Sequence, residues 1–356
     1  MKQLTVNDLE NLSLGSAILG SGGGGDPSYA LLMARYLMER DGPVKLISLD
    51  ELKEEDLVVP LSFMGAPLIG IEKIDSGREL DLLLHAFEKA IQRKVTVLMA
   101  AEIGGANAFT PLLIAAKWGL PLLDGDMIGR AFPELQMSSC NLKNLKATPA
   151  VMVDCLGNSV VIETTDAKKL EEIARAVTVA MGSSSAIGLY SMNRQEAKEA
   201  VVPGTFSQAL RLGKSITEAR KERRDPILSC VEASGGVVLA RGTLIDIDQT
   251  IQGGFLQGSV TILSGDEKIE ILYQNEYLLA KKGSEVLGLT PDLLVLLEEN
   301  SGTPITSETL RYGLQVALLS IPAPDIWQTE EGLKLVGPRV FGYDADYQPS
   351  LQRILL

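Results

Sequence analysis

The stretch Gly20-Ser21-Gly22-Gly23-Gly24-Gly25-Asp26-Pro27 sets the organisation of the first part of this 356-residue chain. Its four consecutive glycines leave backbone N–H groups bare, because no Cβ blocks the approach of a ligand. Asp26 suits a helix cap and Pro27 the first helical position, and a helical pattern follows. A glycine loop that enters a helix presents unpaired amides and a partial positive charge. We therefore predict a substrate-binding loop made of Gly22, Gly23, Gly24, Gly25 and Asp26. A flexible turn with an ordinary Asp cap is the alternative.

The same loop also fits the dinucleotide pattern G-x-G-x-x-G through Gly20, Gly22 and Gly25. That pattern requires a preceding strand and an acidic residue about 20 positions later. Residues 6–19 favour a helix at least as well as a strand, and no Gly-Lys-Ser/Thr follows the glycine run. We therefore expect neither NAD nor ATP as a cofactor.

Composition limits the classes of partner. A formal net charge of −13 argues against nucleic acid, because neutralising phosphates requires clustered Lys and Arg. No apolar run approaches the roughly 18 to 20 residues that span a bilayer, and the first residues lack a signal-peptide core. We therefore expect a cytoplasmic protein without membrane association. The three cysteines are widely spaced, with no Cys-x-x-Cys, so neither a disulfide framework nor a structural zinc site is expected.

Histidine is nearly absent from the chain. The only one, His85, lies in a helical pattern where a surface or packing role suits it. Ser-His-Asp catalysis and His-rich zinc sites therefore have little support. Acid–base chemistry would fall to carboxylates, aided by Lys, Tyr, Cys or a hard divalent cation. The sequence leaves the use of such a metal open.

Two kinds of hydrophobic pattern predict two domains. In the first half, short apolar runs at 57–63, 95–100, 120–123 and 150–153 alternate with helical patterns. From residue 227 to 281 the runs become β-rich and are separated by glycines. We predict an α/β domain at 1–165 with a mostly parallel or mixed sheet, followed by a β-rich α+β domain at 166–356.

Acidic residues directly follow two of the predicted strands. Glu102 and Asn107 come after the second strand, and Asp124 and Asp126 come after the third. Because ligands of open α/β sheets lie beyond the carboxyl ends of the strands, we expect these loops to share one cleft with the glycine loop. Asp126, Asp124 and Glu102 are therefore the predicted catalytic residues. The two aspartates flank Gly125, and turn formation would also explain them.

The segment after the third strand supplies further polar groups. Arg130 and Glu134 are four residues apart, but a Phe-Pro step between them disfavours a regular helix. We expect an ordered loop with a buried Arg130, and we predict that Arg130, Glu134 and Asn107 bind substrate. Cys140 has no accompanying histidine, which favours a buried structural thiol over a nucleophile.

Five stretches together resemble the DUF917 family, also called the S-methyl thiohydantoin desulfurase-like family. They are Leu19–Pro27, Glu102–Asn107, Asp124–Glu134, Asn275–Tyr277 and Val336–Tyr343. The resemblance covers nearly the whole chain in order, and its most specific part is the stretch 124–134. It implies a two-domain protein associated with hydantoinase or oxoprolinase systems and acting on five-membered cyclic ureides or their thio analogues.

The resemblance further implies hydrolytic removal of sulfur from C2 of a thiohydantoin or S-methyl thiohydantoin, releasing a thiol and leaving a hydantoin. Asp126 or Asp124 would activate water, directly or through a bound cation, while Glu102 would shuttle a proton. The Gly22 to Gly25 amides, Asn107 and Arg130 would hold the ring carbonyl and any substrate carboxylate. A non-catalytic ligand-binding or accessory subunit of a hydantoinase or oxoprolinase system is the alternative. We expect a homo-oligomer in either case.

Overall fold

The computed structural model describes residues 2–73, 76–350 and 352. The α-helices of this part of the chain are α1 (Leu9–Leu19), α2 (Ser28–Asp41), α3 (Pro67–Glu72), α4 (Glu79–Ile91), α5 (Phe109–Trp118), α6 (Ser139–Leu142), α7 (Ala167–Ala180), α8 (Arg194–Ala200), α9 (Thr205–Glu222), α10 (Pro226–Ser234) and α11 (Glu330–Val336). The strands are β1 (Lys2–Leu4), β2 (Val44–Ile47), β3 (Val58–Gly65), β4 (Val97–Ala100), β5 (Leu122–Leu123), β6 (Gly125–Asp126), β7 (Ala150–Val153), β8 (Ser159–Ile162), β9 (Ser184–Gly188), β10 (Val202–Pro203), β11 (Val237–Gln252), β12 (Phe255–Ser264), β13 (Glu267–Gln274), β14 (Glu276–Lys282), β15 (Glu285–Leu289), β16 (Leu293–Glu298), β17 (Pro304–Ile305) and β18 (Gln315–Ile321).

The first sheet is mixed, with strand order β1-β2-β5-β4-β3-β9-β7-β8. Its centre is parallel, because β2, β5, β4 and β3 run in one direction. The flanking pairs β1–β2, β3–β9, β9–β7 and β7–β8 are antiparallel. This arrangement confirms the predicted α/β fold with a mixed sheet. The sheet includes β9, so it draws on chain beyond the boundary predicted at residue 165.

Helices cover both faces of this sheet, which is why its central strands are apolar on both faces. In β4, Leu98 and Ala100 pack into a core with residues of α1, α4 and α5. The alternate residues Val97 and Met99 pack into a second core with residues of α7. Successive side chains of a strand point to opposite faces, so one uninterrupted apolar run serves both cores.

The close packing of α1 against α9 fixes the position of the glycine loop. A Cβ at Gly15 of α1 would overlap the backbone carbonyl of Ala209, and a Cβ at Gly213 of α9 would overlap the carbonyl of Asn11. Only glycine leaves room for backbones at this distance. Because α1 ends at Leu19, this contact determines where the glycine loop begins.

The second sheet is antiparallel throughout, with strand order β15-β14-β13-β12-β11-β18-β16-β17. It confirms the predicted β-rich second domain. One face packs a core of its own, which includes Val260, Ile262 and Ile271. Side chains such as Val295 and Leu319 instead join the core that contains α1 and α9. The two sheets are therefore joined through a shared hydrophobic core.

Candidate functional site

A cavity of about 470 Å³ lies beyond the carboxyl ends of β3 and β4. Its walls come from the glycine loop, the end of β3, the loops after β4 and β6, the helices α2, α5 and α7, and the turn before β14. Loops from both domains therefore converge on one site, as expected for an α/β sheet. The polar and charged side chains that line it are Asp26, Ser28, Ser62, Lys73, Glu102, Asn107, Thr110, Glu134, Arg175, Ser184, Asn275 and Glu276.

The second domain holds the back of the glycine loop. The Tyr277 amide donates to the Ser21 carbonyl at 2.7 Å, and the Ser307 amide donates to the Gly22 carbonyl at 2.8 Å. A Cβ at Gly22 would lie 2.5 Å from the Tyr277 ring. The glycine run is therefore required where the two domains touch.

The front of the loop faces the cavity. Gly24 and Gly25 line it with positive φ angles of 74° and 79°. No acceptor among the described residues takes their amide hydrogens, whereas the Gly25 carbonyl accepts from the Ala106 amide at 2.9 Å. Asp26 accepts from the Ser28 amide at 2.8 Å and so caps α2. Gly24 and Gly25 thus offer unpaired donors to a ligand.

Glu102 lies in the cavity wall in a fixed orientation. Asn107 Nδ2 donates to Glu102 Oε1 at 2.6 Å, and Asn107 Oδ1 accepts from the Phe63 amide at 2.9 Å. Burial raises the pKa of Glu102 to about 7, against the opposing effects of Asn107, the Phe132 amide and Arg130. A carboxyl group with this pKa accepts or donates a proton near neutral pH.

Glu276 is the second carboxyl group of the cavity. It is 2% exposed, and its Oε2 has no hydrogen-bond partner among the described residues. Its carboxyl group lies against Gly23, where a Cβ would overlap Oε1. Burial and then the charge of Glu102 raise the pKa of Glu276 well above its ordinary value, with Arg130 opposing them. Burial and the neighbouring Glu102 charge therefore favour the protonated form of Glu276.

Arg130 is fully buried beside these carboxyl groups and is not part of the cavity wall. Its guanidinium donates to the carbonyls of Ala131, Pro291 and Asp292, and it lies 4.4 Å from the Phe132 ring centroid. Burial lowers the pKa of Arg130 to about 10, and the negative charge of Glu276 is the largest of the effects that oppose this shift. A buried cation with these partners stays charged at neutral pH and links the first domain to the second.

Asp124 and Asp126 lie outside the cavity wall among the described residues. Asp126 is fully buried and accepts from the amides of Ile103 and Gly129, both at 2.7 Å. Burial raises its pKa to about 8, with these amides opposing. Asp124 accepts from the amide of Ser207 at 3.0 Å and from its hydroxyl at 2.5 Å, which caps the first turn of α9. The expected shared cleft thus includes Glu102 but neither aspartate, because backbone amides and a helix terminus engage both.

The mouth of the cavity carries paired charges. Glu134 forms an ion pair with Lys168 at 2.5 Å. Arg175 Nε donates to Glu171 at 2.7 Å, and its guanidinium lies 4.2 Å from the Phe255 ring centroid. These contacts fix the rim and leave its side chains close to neutral as a group.

Sequence reasoning did not assign Asn275, Glu276 or Arg175 to the site. Asn275 has a positive φ of 59°, and its Oδ1 accepts from the Leu256 amide at 2.9 Å. That turn directs Glu276 into the cavity from the second domain. The only available signal was the stretch Asn275–Tyr277 in the family resemblance, since strand patterns within the first domain say nothing about a loop of the second.

Within the described residues, no group of three or more His, Cys, Asp or Glu side chains is arranged to hold a metal ion. None of the helices in the same part of the chain is both long and apolar enough to cross a membrane.

The fold and the cavity define a two-domain α/β and antiparallel β protein with a paired-carboxyl site between the domains. The chain belongs to the S-Me-THD-like family: residues 7–164 match its N-terminal domain and residues 165–350 its C-terminal domain. This confirms the resemblance seen in the sequence. The X-ray structure of a structural-genomics target protein from Chromobacterium violaceum has a similar fold, with a TM-score of 0.82 and 24% identity over 98% of this chain and 100% of that one. A comparison with curated proteins finds no match.

Proposed function

We propose that this chain hydrolytically removes sulfur from C2 of a thiohydantoin or S-methyl thiohydantoin ring, releasing hydrogen sulfide from the first or methanethiol from the second and leaving a hydantoin. The observation that carries the proposal is the pair Glu102 and Glu276 in one cavity, with pKa values raised to different extents. Two carboxyl groups in different protonation states provide a base and an acid at the same pH. The family to which the chain belongs supports this ring chemistry.

Glu102 is proposed as the general base. With a pKa of about 7 its carboxylate accepts a proton from water near neutral pH while that water attacks C2. Asn107 holds Oε1 in place at 2.6 Å, so the orientation of the base is set before substrate binds. Positioning of this kind lowers the entropic barrier to attack.

Glu276 is proposed as the general acid, since its burial favours the protonated carboxyl group. Attack forms the bond from the water oxygen to C2, and collapse of the adduct breaks the C2–S bond. For an S-methyl thiohydantoin, one proton of the water ends on the ring nitrogen and the other on the departing sulfur, which leaves as methanethiol. Glu102 and Glu276 pass these protons, so both return to their starting states.

The amides of Gly24 and Gly25 are proposed to bind the ring carbonyl, since they line the cavity without an acceptor. Donors placed where charge develops stabilise the transition state. We propose that Arg130 positions Glu276, and that Asp124 and Asp126 hold the surrounding loops. Glu134 belongs to the rim.

Release of hydrogen sulfide or methanethiol by the purified protein from a panel of 2-thiohydantoins and S-methyl thiohydantoins, measured before and after chelation, tests the proposal. We expect turnover by the wild-type protein, and we expect Glu102→Gln to lower it about 10²- to 10⁴-fold. Loss on chelation with recovery on adding back one metal would bring a cation into the mechanism. No turnover on any ring would contradict the proposal and favour a ligand-binding or accessory role.

A further inference from the structure

The cavity is larger than the ring that the proposed reaction requires. An S-methyl thiohydantoin has about eight heavy atoms outside any substituent and needs at most roughly 240 Å³, taking the ~30 Å³ share of one liquid water for each. The cavity holds about 470 Å³. Roughly half of its volume is therefore available to something other than the ring.

Most charged groups of the lining are already engaged by the protein. Asp26 caps α2, Lys73 donates to two backbone carbonyls, Glu134 pairs with Lys168, and Arg175 donates to Glu171. Of the six charged side chains that line the cavity in the described chain, the other two are the proposed acid and base. The Lys73 ammonium donates to carbonyls and has no carboxylate partner among the described residues, so a carboxylate on the substrate is the alternative that the binding series below tests.

The lining also contains apolar and aromatic side chains, among them Tyr29 of α2, Phe63 of β3 and Leu113 of α5, which we together term the apolar wall. Phe63 and Leu113 are half-buried, and Tyr29 is 53% exposed. Covering apolar surface that faces water is favourable in proportion to its area. Binding is therefore most favourable when the part of the ligand that covers this wall is apolar.

We infer that the substrate ring carries an uncharged apolar substituent, such as an isobutyl or benzyl group at C5, that packs on the apolar wall. This inference rests on the proposed function for the identity of the ring. The polar ring would occupy the end of the cavity with Glu102, Glu276 and the two glycine amides, while the substituent fills the remaining volume.

Calorimetry with hydantoins, the unreactive product form, tests the inference separately from turnover. The C5 groups are hydrogen, methyl, isobutyl, benzyl, carboxymethyl and aminobutyl. We expect isobutyl and benzyl rings to bind ~10- to 100-fold more tightly than the unsubstituted ring, as burial of a Leu or Phe side chain gives. The two charged substituents are expected to give no such gain.

Leu113→Ala and Phe63→Ala are expected to reduce the isobutyl and benzyl preference several-fold. Leu32→Ala is the matched control, because Leu32 is an exposed apolar residue of α2 outside the cavity wall; its substitution should leave the preference intact.

Equal affinity across the series, a preference for a charged group, or no binding of any member would overturn the inference. Substituent-dependent binding without thiol release from any thio analogue would overturn the proposed reaction and support the inference. Thiol release together with equal affinity across the binding series would support the proposed reaction and overturn the inference.

Discussion

Two pairs of carboxyl groups near the cavity have opposite surroundings. Asp124 and Asp126 each accept two hydrogen bonds, from Ser207 and from the amides of Ile103 and Gly129. Glu102 lines the cavity and accepts from Asn107 and from the Phe132 amide, and Oε2 of Glu276 accepts no hydrogen bond among the described residues.

The difference shows that burial alone does not identify a reactive carboxyl group. Burial raises the pKa of Asp126 and of Glu102 alike, to about 8 and about 7. What separates them is their position, because Glu102 lines the cavity and Asp126 does not. A carboxyl group in the cavity wall can exchange a proton with a bound ligand, whereas one held by backbone amides away from the cavity stabilises a loop.

Neutralising the cavity pair should have the largest effect on activity. Glu102→Gln and Glu276→Gln, measured singly, are expected to lower kcat about 10²- to 10⁴-fold, the range that general acid–base groups supply. Neither should reduce the melting temperature by more than a few degrees, because glutamine keeps the shape of the side chain and adds no buried charge. Retention of full turnover by either variant would exclude that residue from the proposed roles.

Moving Glu276 without changing its chemistry should have the next largest effect. In Gly23→Ala the new methyl group overlaps the Glu276 carboxyl, while the φ of Gly23 lies outside the left-handed region. We expect kcat to fall on the order of 10- to 100-fold, since misplacement by about 1 Å is that costly. Gly42→Ala is the control, because its Cβ meets no neighbour but its φ is 99°. It should lose about 1 kcal/mol of stability and keep its kcat.

The pH dependence of kcat/KM and of stability tests the role of Glu102 through a smaller effect. Because the pKa of Glu102 is about 7, kcat/KM should rise as Glu102 loses its proton and reach half its maximum near pH 7. The same raised pKa contributes stability that is fully present below its ordinary value of 4.5 and is lost as pH rises through 7. Glu102→Gln should remove the rise in kcat/KM and reduce the loss of stability with pH, to which Asp126 with its pKa of about 8 also contributes. A wild-type profile flat from pH 5 to 8 would argue against Glu102 as the base.

Removing the cap that Asp124 provides should have the smallest effect on activity. Asp124→Asn weakens the hydrogen bonds to Ser207 at the first turn of α9. We expect a loss of about 1 kcal/mol in the free energy of unfolding, typical of a helix cap, with kcat within a few-fold of wild type. A 100-fold fall in kcat at unchanged stability would restore Asp124 to the catalytic list.

The fold was largely predictable from local patterns, and the site only in part. The run at 150–153 became β7 and the helical pattern at 167 became α7, because both signals lie within one element. Glu102 and the glycine loop were found because ligands lie beyond strand ends. Glu276 was missed because it reaches the cavity through contact between domains, which no local pattern encodes. The hydrogen bonds that engage Asp126 also come from residues distant in sequence or from its own turn.

The contacts that hold the glycine loop to the second domain also limit which sequences the two halves of the chain can combine. Tyr277 and Ser307 of the second domain donate to Ser21 and Gly22 of the first, and a Tyr277 ring fills the space where a Cβ at Gly22 would lie. Glu276, one member of the proposed acid–base pair, directly precedes Tyr277 and so belongs to the same segment of the second domain. A chimera that joins the first half of this chain to the second half of a diverged relative would therefore need matching residues at this seam.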